Sequence, residues 1–100
     1  MQVREIMGLK VTDIVDANTF EVFPPWRWRD QSGIRVRPTG YNTLEGGQVG
    51  YQESKNKLRR LILEKEVELR NFVDIDYDRL VCDVYFNGKN LADYFPEYKE

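Results

Sequence analysis

Three short segments of this 100-residue chain carry the residue types that phosphate chemistry uses. The longest is Arg37-Pro38-Thr39-Gly40-Tyr41-Asn42-Thr43-Leu44-Glu45. Upstream lies Val15-Asp16-Ala17-Asn18-Thr19-Phe20, and downstream Asp76-Tyr77-Asp78-Arg79. A guanidinium presents a planar fork of N–H donors that holds two phosphate oxygens at once. A carboxylate within reach of water can orient it or take its proton. Arg37, Arg79 and Glu45 are groups of those kinds, whereas Asn18 and Asn42 offer carbonyl oxygens without charge.

Each of these residues also has an ordinary reading. An outward arginine on an alternating strand, as Arg37 is, is usually only a solvated face, and a loop glutamate such as Glu45 is usually a surface charge. Arg79 follows three acidic residues, so an ion pair with Asp76 or Asp78 competes with phosphate for it.

Composition narrows the chemistry further. The chain has no histidine, which excludes histidine-based triads, zinc–imidazole sites and switches near pH 6. The single Cys82 has no partner for an internal disulfide. A net charge of −2 gives no overall attraction to nucleic acid, so any such binding must come from a local patch. With 41% hydrophobic and 32% charged residues, the chain reads as one globular domain over residues 1–100. No apolar run is long enough for a signal peptide or a membrane span, so the expected location is cytoplasmic, with no membrane partner.

Two superficial motifs fail. Residues 74–78 alternate Asp as a calcium loop would, but the positions that an EF-hand gives to Gly and Glu hold Arg79 and Tyr85. The glycines at 46, 47 and 50 are not followed by the Gly-Lys-Ser/Thr of a phosphate loop. Trp26-Arg27-Trp28-Arg29 is more distinctive. Three readings fit it: Trp26 and Trp28 stack bases while the arginines meet phosphates, the four anchor a protein interface, or the two Trp rings pack back on their own barrel.

The elements that must position these residues follow from periodicity. Residues 3–15 are rich in β-branched types, and 19–23 alternate after the turn at 16–18. Pro24-Pro25 is expected to break that strand, with a long hairpin tip through Gly33. Ile34 and Val36 then face one way, and Arg35 and Arg37 the other. A glycine-rich loop follows at 40–50, and then a helix over about 51–64 with Leu58, Leu61 and Ile62 on its apolar stripe. Two more alternating strands span 66–72 and 80–86; in the second, Leu80, Cys82, Val84 and Phe86 share a face, which makes Cys82 a core residue rather than a reactive thiol. Asn87-Gly88 signals a turn, and 89–95 reads as a short helix stopped by Pro96. The pattern predicts a mainly β (α+β) domain: a five-stranded OB-type β-barrel with a helix between strands 3 and 4 and a short C-terminal helix.

In order and spacing, the three segments resemble the staphylococcal nuclease (thermonuclease-like) family. That family reads roughly D-G-D-T, R-L-x-G-I-D-x-P-E and D-x-Y-G-R, then a strand and a G-K turn. The matching text here is residues 16–19, 37–45, 75–79 and Gly88-Lys89. The resemblance implies that Arg37 and Arg79 grip a scissile phosphate, that Glu45 orients or deprotonates the attacking water, and that Tyr77 helps bind the ligand. It also implies a metal site at Asn18, Asn42 and the Thr43 carbonyl, where the family has Asp at the first two positions. At an effective dielectric near 20, a carboxylate about 4 Å from a divalent ion contributes roughly 8 kcal/mol before desolvation. Losing two predicts weak divalent-cation binding at best, with Ca²⁺ the candidate ion. The family continues past its fifth strand with longer helices; here only a stub remains, and self-association is one way to cover the barrel floor.

The expected function is therefore binding of nucleic acid, a nucleotide or another phosphodiester ligand, with Ca²⁺-dependent hydrolysis lost or weak. Two alternatives stay open: a working metal-dependent phosphodiesterase that cleaves DNA or RNA, and a pure protein-interaction module.

Overall fold

A computed structural model describes residues 5–42 and 47–99. Three antiparallel strands come first: β1 (Glu5–Asp16), β2 (Thr19–Trp28) and β3 (Gln31–Pro38). Helix α1 (Tyr51–Ile62) follows, and then β4 (Glu66–Asp76), β5 (Arg79–Phe86) and the two-residue β6 (Lys89–Asn90). The strands lie in the order β3-β2-β1-β4-β5-β6, and a parallel pairing of β3 with β5 closes the first five into a barrel. The expected architecture is thus present: a mostly β closed barrel with one helix between the third and fourth strands. Among the described residues, no helix is long and apolar enough to cross a membrane.

Curvature comes from irregular register. β1 shifts against β4 between Ile6 and Leu9, and against β2 between Val11 and Asp13. Each shift bends the strand and tightens its twist, which a long strand needs to wrap a small barrel. β2 corrects one expectation, because it runs through Pro24-Pro25 instead of ending there. Its pairing with β3 jumps from Glu21↔Arg35 to Trp26↔Gly33, so both prolines fall in a bulge where no ladder donor is required.

Beyond that bulge, Trp26 and Trp28 turn inward and are 1% and 5% exposed. The Trp26 indole N–H donates to the Arg35 carbonyl at 2.8 Å. Trp28 meets Phe72 edge-on, with ring centroids 5.6 Å apart. Gly33 is required here, since a Cβ would sit 2.8 Å from the Trp26 ring.

Helix α1 buries Ser54, Leu58 and Ile62, an i, i+4, i+8 stripe, with Leu61 half-buried beside it. It stops two residues before the expected end because β1 captures the chain: Glu64 N–H donates to the Val11 carbonyl, and Val11 N–H to the Lys65 carbonyl. Cys82 is fully buried, as expected, and desolvation pushes its thiol pKa up, which removes the reactive thiolate.

The C-terminal segment is not the single short helix that its sequence suggests. Asn87-Gly88, both at positive φ, turn the chain back so that Lys89–Asn90 pairs with β5. Two 3₁₀ turns follow, Leu91–Tyr94 and Pro96–Tyr98, the first capped by the Asn90 side chain accepting from Ala92 N–H at 2.9 Å. This short segment buries Leu91, Ala92 and Phe95, and Phe95 stacks on Tyr41 at 4.8 Å with planes 3° apart. Lys57 of α1 holds it in place, pairing with Glu97 at 2.9 Å and lying over the Phe95 ring.

Candidate functional site

The parallel pairing of β3 with β5 sets the geometry of the arginines. Arg35 lies opposite Arg79, and Arg37 opposite Val81. Val36, Pro38, Leu80 and Cys82 on the same two strands are buried, so Arg35, Arg37 and Arg79 face outward. Glu21 of β2, opposite Arg35, joins this face. Two arginines more than 40 positions apart in the chain, Arg37 and Arg79, thus become diagonal neighbours on adjacent strands.

The three guanidiniums differ in their partners. Arg79 donates from Nη1 to the Thr19 hydroxyl at 3.2 Å and pairs through Nη2 with Asp76 at 2.5 Å. Arg35 pairs through Nε with Glu21 at 3.2 Å and through Nη1 with Asp78 at 3.6 Å. Among the described residues, no hydrogen bond or ion pair occupies the Arg37 side chain. It lines a recess of about 250 Å³ with Thr39, Asn42 and Val81. The ordinary reading of Arg79, an ion pair with an acidic turn residue, is therefore realised.

The β4–β5 turn explains that pairing. Asp76 and Arg79 are register partners at the end of a two-residue turn, which places carboxylate and guanidinium side by side. Tyr77 caps the turn at φ 60, a conformation uncommon for a bulky residue, and is 93% exposed. Its ring is open to a ligand.

The residues at the expected metal site have a different character. The Asn18 carbonyl oxygen accepts from the Thr19 hydroxyl at 3.1 Å, which continues the chain that begins at Arg79. Asn42 is exposed in the recess, and its backbone N–H donates to the Tyr98 carbonyl at 3.0 Å. Asp16, the nearest acid in sequence, accepts from Ala17 N–H at 2.8 Å, and hydrogen bonding to its carboxylate raises the Tyr51 pKa. Among the described residues, no three His, Cys, Asp or Glu side chains gather as a metal site would need. Two neutral amides and an engaged Asp16 fit a calcium ion poorly. Glu45 and Thr43 lie outside the described residues.

Trp26 and Trp28 sit apart from the arginine recess, in the hairpin part of the core, and the protein itself covers their rings. Of the three readings of that tip, packing against the chain's own barrel describes the structure. The outward residues there are Arg27 and Arg29, and Arg29 lies over the Trp28 ring at 4.0 Å. A larger recess of about 490 Å³ lies between α1 and the last 3₁₀ turn; it shares no lining residue with the Arg37 recess, and its Lys57 is held by Glu97.

Sequence reading did not assign Arg35, Glu21 and Thr19 to this face as a unit. The two-residue spacing of Arg35 and Arg37 shows their shared side, but the carboxylates that engage Arg35 come from two other strand ends and leave no local trace. No protein-family model matches this chain, and no curated protein matches it.

Proposed function

We propose that this chain is a staphylococcal-nuclease-like domain that binds a phosphodiester-bearing ligand, a nucleotide or nucleic acid, on the outer face of β3 and β5, without efficient Ca²⁺-dependent hydrolysis. One observation carries the reading: Arg37, which has no side-chain partner among the described residues, lines a recess, and its register partner Val81 lies two residues from Arg79 on the neighbouring strand. A phosphate in that recess meets the Arg37 fork directly, while Arg79 lies diagonally across the sheet, outside the recess lining. Tyr77 is exposed beside them and offers a ring to a base or sugar. Two neutral amides at Asn18 and Asn42 support weak cation binding, and with it feeble hydrolysis.

Titration with a nucleoside 3′,5′-bisphosphate tests the proposal. Arg37→Ala is expected to lower affinity at least tenfold, the loss of a charge-assisted hydrogen bond of about 1.5–3 kcal/mol. Arg79→Ala should lower it less, because that side chain is shared with Asp76. Saturable binding that neither substitution weakens would place the ligand elsewhere, and no binding at all would favour a protein-interaction role.

A further inference from the structure

The carboxylates on the arginine face are arranged as a ligand's oxygens would be. Arg35 and Arg79, partners across β3 and β5, each carry a carboxylate from one turn: Asp78 on Arg35 and Asp76 on Arg79. Glu21 adds a second carboxylate to Arg35. With Arg37 included, three guanidiniums face three carboxylates, so the face as a whole is close to neutral. Among the described residues, Arg37 is the one of these three guanidiniums with no side-chain partner.

We propose that Asp76 is a built-in competitor for the phosphate: it occupies Arg79 in the free protein, and the ligand must displace it to engage both arginines. This rests on the phosphate-binding reading above and adds how that site is regulated. The geometry favours exchange over simultaneous binding. Asp76 accepts from Nη2 and Thr19 from Nη1, so each terminal nitrogen of Arg79 already spends one of its two hydrogens, and the Asp76 carboxylate offsets the charge that a phosphate would meet. A phosphate seated between Arg37 and Arg79 would also bring a second anion against the Asp76 carboxylate, and that repulsion is relieved only when the carboxylate swings out. It has room to do so, since the Asp76 side chain is 36% exposed. Its turn neighbour Tyr77 is almost wholly exposed, so opening breaks no core contact of that residue. Ligand binding and release of the Asp76 carboxylate from Arg79 are therefore one event, and Asp76 is a positioning residue that sets the affinity threshold of the site.

The prediction runs opposite to the usual effect of a substitution. Asp76→Asn should raise affinity for the nucleoside bisphosphate about fivefold, as release of a partly exposed ion pair allows. Asp76→Glu should keep affinity near the parent's, because the competing charge remains. Adding Arg79→Ala to Asp76→Asn should erase the gain, which separates displacement at Arg79 from a general loss of negative charge. Circular dichroism and thermal melts establish that each variant is folded. Affinity unchanged or lower in Asp76→Asn, with Arg37→Ala still weakening binding, overturns the competitor and leaves the phosphate site standing. A gain that persists without Arg79 also overturns it. Absence of binding in every variant, Asp76→Asn included, defeats the phosphate-binding reading and the competitor with it.

Discussion

Two stretches of this chain alternate arginine with another residue, and the fold uses them in opposite ways. On β3, Arg35 and Arg37 flank buried Val36; at the hairpin tip, Arg27 and Arg29 flank buried Trp28. In both, the apolar residue goes in and the arginines go out, as a period of two requires. What differs is the company across the sheet. β3 lies between β2 and β5, so Arg35 meets Glu21 and Asp78, and Arg37 opens on a recess. At the tip, Arg27 and Arg29 form no ion pair among the described residues, and the burial beneath them is a matter of stability. Alternation assigns a face; the neighbouring strands decide what that face is for.

The largest expected effect is structural. Trp26→Ala should cost about 3–5 kcal/mol, the usual loss for a buried aromatic, read from the shift of a urea unfolding midpoint. Arg37→Ala in the same assay should move stability by less than about 0.5 kcal/mol while lowering ligand affinity. A Trp26→Ala protein as stable as its parent but unable to bind ligand would break the comparison, because the hairpin would then belong to the site.

An intermediate effect sharpens the arginine face itself. Restoring charge with Asn18→Asp and Asn42→Asp should strengthen Ca²⁺ binding at least tenfold by calorimetry, given that charged oxygen ligands set such affinities. Appearance of phosphodiesterase activity only in the double variant would identify the two amides as what limits hydrolysis. If both calcium affinity and activity stay at parental levels, the metal-facing half of the resemblance has no counterpart in this fold.

The smallest effect lies at the C-terminal stub. The hydrogen bond from Lys57 holds the Glu97 carboxyl below its ordinary 4.5. A depressed folded-state value stabilises the protein above the unfolded value, and that contribution fades as pH falls through the folded one. Thermal melts from pH 7 down to about pH 3 should therefore lose slightly less stability in Lys57→Gln than in the parent, slightly because the pair is exposed. Identical pH profiles would remove this pair from the forces holding the stub.

Much of the barrel was legible because burial writes itself into periodicity. Val36, Leu80, Cys82 and Val84 alternate along their strands, and Leu58 and Ile62 recur at helical spacing. The errors occur where register or local hydrogen bonding overrides composition. Pro24-Pro25 reads as a break, yet a bulge opposite β3 absorbs it. Residues 89–95 read as a helix, yet the Asn87-Gly88 turn commits the first two of them to β5.

For the site, residue types alone say which groups are available: arginines without histidine, amides where charged metal ligands would be sought, and Asp76 three residues from Arg79. Tertiary structure alone decided which of them meet. The β3–β5 pairing joins residues 35–38 to 79–82, and no local pattern encodes a parallel contact across that separation. Among the described residues Arg37 has no partner, whereas Arg79 shares a tight turn with the Asp76 carboxylate that engages it. Residue type is chosen position by position, whereas the balance of charge on a surface depends on which strands closure of the barrel makes neighbours.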